Sequence, residues 1–189
     1  TVPEDIFEEL TAQDASVAGF NPYEQPTVRD LLYGVLLPSG ADACETLARA
    51  VGGSEEGFVA MMNQKAEELG LTNTHFENCT GLHNDNHYST CRDIAVLMSE
   101  CLKSDTFREI VTREVYTTEA TASHPEGITL YDTMLHRFTS YEMSTTLENG
   151  AVIEGGKTGF TDEAGQCLVS FAEYGGEEYI LVPAEAMTD

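Results

Sequence analysis

The most distinctive stretch is Lys157-Thr158-Gly159, which follows the pair Gly155-Gly156 and leads into an apolar, alternating run. Lysine supplies a fixed positive charge, threonine supplies a hydroxyl donor, and glycine lets a ligand lie close against the backbone. This combination is typical of a strand that lines a substrate cleft. A tripeptide is short, so its interpretation depends on the rest of the chain.

Ser39 is the second candidate, because it lies between two predicted helices at the N-terminus of the second. A hydroxyl in that place is held rigidly and can reach a cleft. Serine also caps helices without any chemical role, so N-capping is the simpler interpretation of its position alone.

A third set of side chains has the spacing Cys79-x3-His83-x3-His87-x3-Cys91. Cys and His are zinc ligands, but a uniform spacing of this kind is not a usual structural-zinc pattern. A disulfide between Cys79 and Cys91, or free side chains throughout, are the alternatives. We predict no metal site and no cofactor. The remaining cysteines lie in apolar patterns and are predicted to be buried thiols: Cys44, Cys101 and Cys167.

The chain is strongly acidic, with 33 acidic and 9 basic residues and a formal net charge of -24. Such a surface repels nucleic acid and anionic membranes, so we exclude both as partners. Its 189 residues fit one domain with a sizeable core. No run is long and apolar enough to span a bilayer. Because the chain begins at Thr1 without Met, we interpret it as a processed or excised piece.

The first part of the chain predicts helices. Thr27 caps one helix, with Asp30 three residues on, and Pro38 ends it. A second helix runs over 41–51 and is followed by Gly52-Gly53. Ser54 caps a third, whose predicted buried stripe consists of Phe58, Met61, Met62, Ala66 and Leu69. Thr90 starts a fourth.

The last part predicts antiparallel strands over 156–161, 166–174 and 178–182, with Gly175-Gly176 as the turn of a hairpin. Helices followed by antiparallel strands indicate an α+β fold.

Taken together and in order, these motifs resemble the serine-type D-alanyl-D-alanine carboxypeptidases, the low-molecular-mass penicillin-binding proteins. The resemblance covers about 27–182 and depends on the following segments: Asp30-Leu31-Leu32-Tyr33-Gly34, Leu37-Pro38-Ser39-Gly40, Phe58 with Met62-Asn63, Leu69-Gly70-Leu71-Thr72-Asn73-Thr74, Gly81-Leu82, Ser89-Thr90 with Arg92-Asp93, Gly156-Lys157-Thr158-Gly159-Phe160-Thr161 and Ala164-Gly165.

The resemblance implies a β-lactamase/transpeptidase-like α+β fold, in which an antiparallel sheet and a helical subdomain enclose a cleft. It assigns 1–189 to part of a catalytic domain, with 27–112 mainly helical and 113–189 mainly sheet. Members remove the terminal D-alanine from peptidoglycan stem peptides through an acyl-serine intermediate, which β-lactams trap. They use three motifs: Ser-x-x-Lys, Ser-x-Asn and Lys-Thr-Gly.

The resemblance also implies roles for single residues. Lys157 would pair with the terminal carboxylate of the substrate, Thr158 would hydrogen-bond it, and Gly159 completes the triplet on this strand, whose backbone would help to form the oxyanion hole. Ser39 would pass protons towards the leaving amine. The substrate partner would be a stem peptide ending in D-Ala-D-Ala, processed outside the cytoplasm.

Two departures affect this expectation. Ala41 stands where the second motif has Asn, and Ala cannot hydrogen-bond a substrate amide. No serine of the chain has a lysine three residues later, so the nucleophile motif is absent from 1–189. We therefore expect a chain truncated before Ser-x-x-Lys and inactive by itself. The alternatives are a non-catalytic relative that binds peptidoglycan or a partner, and a β-lactamase, for which no deacylating base is evident.

Overall fold

The computed structural model describes residues 1–185. Within that range the helices and strands follow in this order: α1 (Ile6–Ala12), α2 (Val28–Leu36), α3 (Ala41–Gly52), α4 (Glu55–Glu68), α5 (Cys91–Cys101), α6 (Asp105–Val111), β1 (Val115–Thr117), β2 (Thr129–Tyr131), α7 (Leu135–Ser140), β3 (Val152–Thr161), β4 (Gly165–Tyr174) and β5 (Glu177–Leu181). Helices dominate the first part and antiparallel strands the second, which confirms the predicted α+β class.

The start of α2 illustrates how local sequence sets these boundaries. The Asp30 backbone N–H donates to the Thr27 hydroxyl oxygen at 3.1 Å, and the Thr27 N–H donates to the Asp30 carboxylate at 3.1 Å. This reciprocal capping box satisfies two backbone donors that a helix N-terminus leaves free, and a cap of this kind is worth about 1 kcal/mol.

The helical part is built on α2, α3 and α4, which pack in sequence, with α1 against α3. Its core is made largely of aliphatic and aromatic side chains that are at most 5% exposed: Val2, Ile6, Leu10, Phe20, Leu31, Tyr33 and Leu37. The stripe predicted for α4 is wrong for Met61, which is 47% exposed, and only Ala66 of that helix is fully buried. The helix packs mainly on α3, so one narrow face is covered.

The larger sheet has the order β3-β4-β5, with all pairs antiparallel. Lys157 on β3 lies opposite Val169 on β4. One face is covered by α5, which contacts β4 and β5, and by α6, which contacts β3. A second core cluster fills this interface and consists of Met98, Leu102, Val111 and Phe171.

A close approach between β3 and the end of α6 explains the glycine that precedes the Lys-Thr-Gly triplet. A Cβ placed on Gly155 would lie 2.3 Å from the Val111 carbonyl oxygen. The strand has an irregularity in its pairing between Ile153 and Gly155. Glycine at this point therefore allows β3 to lie against the helix, and the strand then delivers Lys157 to a fixed place.

The four regularly spaced Cys and His residues do not converge. Cys79 is half-buried and Cys91 is exposed, and both thiols are free, so the disulfide alternative is not formed. His83 pairs with Asp85 at 3.3 Å, whereas His87 Nδ1 accepts a hydrogen bond from a backbone N–H. The other three cysteines, predicted to be buried, are half-buried: Cys44, Cys101 and Cys167. Among residues 1–185, no helix combines the length and apolarity needed to cross a membrane.

Candidate active site

Ser39 lies in the tight connection between α2 and α3. Its φ is +61°, a left-handed conformation that is uncommon for serine and that indicates a constrained backbone. The next residue must be small: a Cβ on Gly40 would lie 2.6 Å from the Ala18 Cβ and 2.7 Å from the Gly34 carbonyl oxygen. The Gly40 N–H donates to that same carbonyl at 2.8 Å. The connection is therefore fixed from both sides.

Asp42, in the first turn of α3, anchors this connection to the preceding loop. It is fully buried, and its carboxylate accepts hydrogen bonds from the backbone N–H groups of Ala18, Gly19 and Phe20 at 2.7, 3.0 and 3.0 Å. Hydrogen bonds to a charged group are each worth about 1.5–3 kcal/mol. The Ser39 backbone is thus supported by a buried carboxylate three residues away.

Lys157 reaches the same place from β3. Its ammonium donates a hydrogen bond to the Ser39 hydroxyl and another, at 2.9 Å, to the Thr158 carbonyl oxygen. Burial lowers the pKa of Lys157 below its ordinary value of 10.5, and the nearby charge of Asp132 opposes that shift. The structure therefore brings the two predicted motifs together, with the cation directly against the serine.

Thr158 is held from a third segment that the sequence analysis did not identify. The hydroxyls of Thr158 and Thr133 are 2.6 Å apart, and the Thr133 N–H donates to the Leu37 carbonyl at 3.2 Å. The segment around Thr133 therefore ties β3 to the end of α2. Its local signal is Asp132 just after a strand, a typical position for an Asx turn.

Asp132 organises this segment and is fully buried. Its carboxylate accepts hydrogen bonds from the N–H groups of Met134 and Leu135 at 2.9 and 2.6 Å. Burial raises the pKa of Asp132, while these two backbone donors and the charge of Lys157 act in the opposite direction. The negative charge of Asp132 near Lys157 helps to keep that lysine charged, although desolvation lowers its pKa.

The remaining predicted residue, Gly159, is exposed, and a Cβ placed on it would meet only the Cys167 Cβ, at 3.7 Å. Packing within the described residues therefore does not require glycine here. Ala41 is buried at the start of α3, with its methyl group in the core. Its side chain offers no polar atom beside Ser39.

The arrangement can bind an anion and move a proton. The half-buried Lys157 ammonium, the Thr158 hydroxyl and the exposed Gly159 lie on β3 beside the Ser39 hydroxyl, an arrangement that suits a carboxylate ligand. The Ser39 hydroxyl contacts the ammonium and can pass a proton between that group and a ligand. Among residues 1–185, cavities of about 520 and 240 Å3 lie elsewhere. The larger of these is lined by α6 and β4–β5 residues such as Arg108 and Phe171, and the smaller by Glu45 and Glu55 among others.

Comparison with known proteins gives a consistent result. Residues 1–188 match the family model described as D-alanyl-D-alanine carboxypeptidase. The carboxypeptidase DacF of Bacillus subtilis is 35% identical over 182 residues, which are 96% of this chain and 43% of DacF. The D-alanyl-D-alanine carboxypeptidase of Streptomyces sp. strain K15 is 38% identical over 163 residues, which are 83% of this chain and 54% of that protein.

The structural comparison extends over the whole chain. The crystal structure of the Streptomyces K15 DD-transpeptidase superimposes with a TM-score of 0.85 at 34% identity, covering 100% of this chain and 71% of that one. This confirms the predicted transpeptidase-like fold. The chain spans about half the length of the curated relatives it matches. It belongs to the D-alanyl-D-alanine carboxypeptidase family.

Proposed function

We propose that this chain is part of a peptidoglycan-processing serine hydrolase that removes the terminal D-alanine from stem pentapeptides through an acyl-serine intermediate. The observation that supports this most directly is the hydrogen bond from Lys157 to Ser39. It joins two motifs that family resemblance places on opposite sides of one cleft. Family membership supports the reaction class.

In this proposal the Lys157 ammonium pairs with the terminal carboxylate of the substrate, and Thr158 donates a hydrogen bond to it. The exposed Gly159 lets the peptide backbone lie close to β3. Ser39, in contact with Lys157, passes a proton towards the leaving D-alanine. The acylated serine would belong to a Ser-x-x-Lys motif, which residues 1–189 do not contain. A polypeptide that also carries that motif would complete the catalytic set.

β-Lactams would acylate the serine of the Ser-x-x-Lys motif, because they imitate the substrate and also carry a carboxylate for Lys157. The reaction would take place outside the cytoplasm, where peptidoglycan is found. We assign no cofactor to this reaction.

The test uses the intact protein that contains this chain. A fluorescent penicillin should label it covalently, and it should release D-alanine from a peptide ending in D-Ala-D-Ala. Ser39→Ala should lower D-alanine release by about 100-fold, whereas Ser89→Ala, at an exposed serine in another loop, should leave it unchanged. If the intact protein is folded but shows no penicillin labelling and releases no D-alanine, the hydrolase function is refuted.

A second function, non-catalytic binding of stem peptides, is favoured by one observation: buried Ala41 replaces the asparagine of the second motif. Its measurable signature is reversible binding of a D-Ala-D-Ala peptide without D-alanine release or penicillin labelling. Rapid and complete turnover of a chromogenic cephalosporin would instead indicate a β-lactamase.

A further inference from the structure

A compact group of acidic and thiol side chains lies beside the smaller cavity, outside the Ser39–Lys157 site, and two of its members, Glu45 and Glu55, line that cavity. A carboxylate oxygen of Glu45, a carboxylate oxygen of Glu55 and the Cys79 thiol all lie within 4.8 Å of one another. Glu45 belongs to α3, Glu55 to the first turn of α4, and Cys79 to the loop before α5. Three separate segments therefore meet at this point.

Glu45 is the unusual member of this group. It is only 7% exposed, and its Oε2 atom is buried without a hydrogen-bond donor. Its other oxygen faces the Cys79 thiol at 3.5 Å. A buried carboxylate beside a second carboxylate needs either a proton or a cation between them.

Among the described residues, the guanidinium of Arg49 balances this charge only in part. Arg49 Nε forms a salt bridge to Glu45 Oε2 at 3.6 Å, which is beyond hydrogen-bond distance, and its Nη1 donates to Asp5 at 2.7 Å. The charge of the guanidinium is therefore already shared with Asp5, at the edge of the site. The cavity, about 240 Å3 and lined by Glu45, Arg49 and Glu55, gives a small ion a route from solvent.

From this geometry we propose that Glu45, Glu55 and Cys79 form a binding site for one zinc ion. A thiolate with carboxylate oxygens is a donor set that zinc accepts, whereas magnesium and calcium take oxygen ligands. Zinc bonds of about 2.0–2.3 Å place tetrahedral ligand atoms roughly 3.3–3.7 Å apart. The present separations, within 4.8 Å, need only side-chain adjustment. A water molecule would complete the set of four ligands.

The site differs from the regular Cys and His pattern of the sequence, since Cys79 is the only member that they share. Its effect on the molecule is to join α3, which begins just after the Ser39 connection, to α4 and to the loop before α5. The Cys44 thiol, which donates to the Cys79 carbonyl oxygen at 2.9 Å, lies beside the site.

The test is zinc binding by the intact protein, reduced, stripped with a chelator and reloaded with one equivalent of Zn2+ before gel filtration and elemental analysis. We expect one zinc per chain. Cys79→Ser and Glu45→Gln should each weaken binding at least about ten-fold, and Cys91→Ser, at an exposed cysteine, should not. Cobalt in place of zinc should give a thiolate-to-metal absorption band that Cys79→Ser abolishes while circular dichroism confirms its fold.

Three outcomes would overturn the proposal. Absence of zinc from the reduced protein would mean that the two glutamates share a proton instead. Binding that survives Cys79→Ser and Glu45→Gln but is lost in Cys91→Ser would transfer the site to the Cys and His pattern. The third outcome is a disulfide between Cys44 and Cys79 in the unreduced protein, detected as a mass lower by two hydrogen atoms. If that protein also takes up no zinc after reduction, the disulfide replaces the proposed metal site.

Discussion

The ammonium of Lys157 donates a hydrogen bond to the hydroxyl of Ser39, across 118 positions of the chain. The two residues come from different layers, Lys157 from the central part of β3 and Ser39 from the connection between α2 and α3. The hydroxyl is thereby directed at the place where a bound carboxylate would meet the lysine. This contact is the basis of the proposed function and of the first prediction.

Removal of the charge at Lys157 should disable the site. Lys157→Met, which keeps the length of the side chain, should lower penicillin acylation by the intact protein roughly 100-fold, because a preorganised cation is lost where the ligand carboxylate lies. The rate of labelling with fluorescent penicillin measures this. Lys103→Met, which removes an exposed lysine paired with Glu100, is the matched control. Equal rates in the two variants would contradict the role of Lys157.

The same lysine predicts a pH dependence. Burial lowers the pKa of Lys157 below 10.5, so its charge opposes folding at low pH, and that penalty falls away as the pH rises from the lowered pKa to 10.5. Carboxylate binding needs the charge, so it should decline at alkaline pH with a midpoint below 10.5. Lys157→Arg should keep binding to higher pH, because arginine stays charged. A wild-type midpoint at or above 10.5 would contradict the buried environment.

Substitution of two glycines of β3 should distinguish a glycine required by packing from a glycine required by ligand access. Gly155→Ala places a Cβ 2.3 Å from the Val111 carbonyl oxygen and should cost about 1–3 kcal/mol of unfolding free energy. Gly159→Ala meets only the Cys167 Cβ at 3.7 Å, so it should leave stability within about 0.5 kcal/mol but slow penicillin labelling. Urea unfolding and labelling of both variants measure this. Unchanged labelling in Gly159→Ala would remove the argument for ligand contact there.

Asp42 should be a large contributor to stability. Asp42→Ala leaves three backbone N–H groups of 18–20 without their acceptor and should lower the unfolding free energy by about 3 kcal/mol or more. Asp42→Asn keeps one acceptor oxygen and should cost less. Asp162→Ala, at an exposed aspartate, serves as the comparison. A loss below about 1 kcal/mol in Asp42→Ala would show that water replaces the carboxylate.

Tyr116 gives a prediction at alkaline pH. Its hydroxyl donates to Asp30 at 2.9 Å, and its ring stacks on Tyr33 at 3.7 Å between centroids. Burial, followed by the bond to Asp30, raises the pKa of Tyr116 from 10.0 to about 12. This contribution to stability is complete below pH 10 and is lost as the pH rises towards 12, because the unfolded chain ionises first.

Urea unfolding between pH 9 and pH 12 tests the role of this hydroxyl. Tyr116→Phe should lower stability by about 1–2 kcal/mol at neutral pH, since it leaves the buried Asp30 with one donor fewer. It should also show a weaker decline between pH 10 and pH 12. Tyr179→Phe, at an exposed tyrosine, should behave like the wild type. If the stability of Tyr116→Phe declined above pH 10 as steeply as that of the wild type, groups other than Tyr116 would be responsible for the decline.

Much of the local structure could be predicted from the sequence. Several such features are contained in stretches of a few residues: the Thr27–Asp30 capping box, the end of α2 near Pro38 and Ser39, the caps at Ser54 and Thr90, and the hairpin around Gly175-Gly176. Short-range hydrogen bonds and side-chain periodicity decide such features, so they can be recognised without the fold. The order of the motifs, from Ser39 to Lys157, likewise depends on the sequence alone.

The tertiary structure decided everything that depends on two distant segments meeting. No local pattern indicates that Thr133 contacts Thr158 or that Met61 faces solvent. Nor does one indicate that the neighbour of Cys79 is Glu45 and not Cys91. Each of these follows from how the helices and the sheet pack, and burial is set by that packing and not by the hydrophobicity of a single residue. The sequence thus determined which groups could do chemistry, and the packing determined which of them meet, because side-chain contacts across more than one hundred positions arise only when the chain is folded.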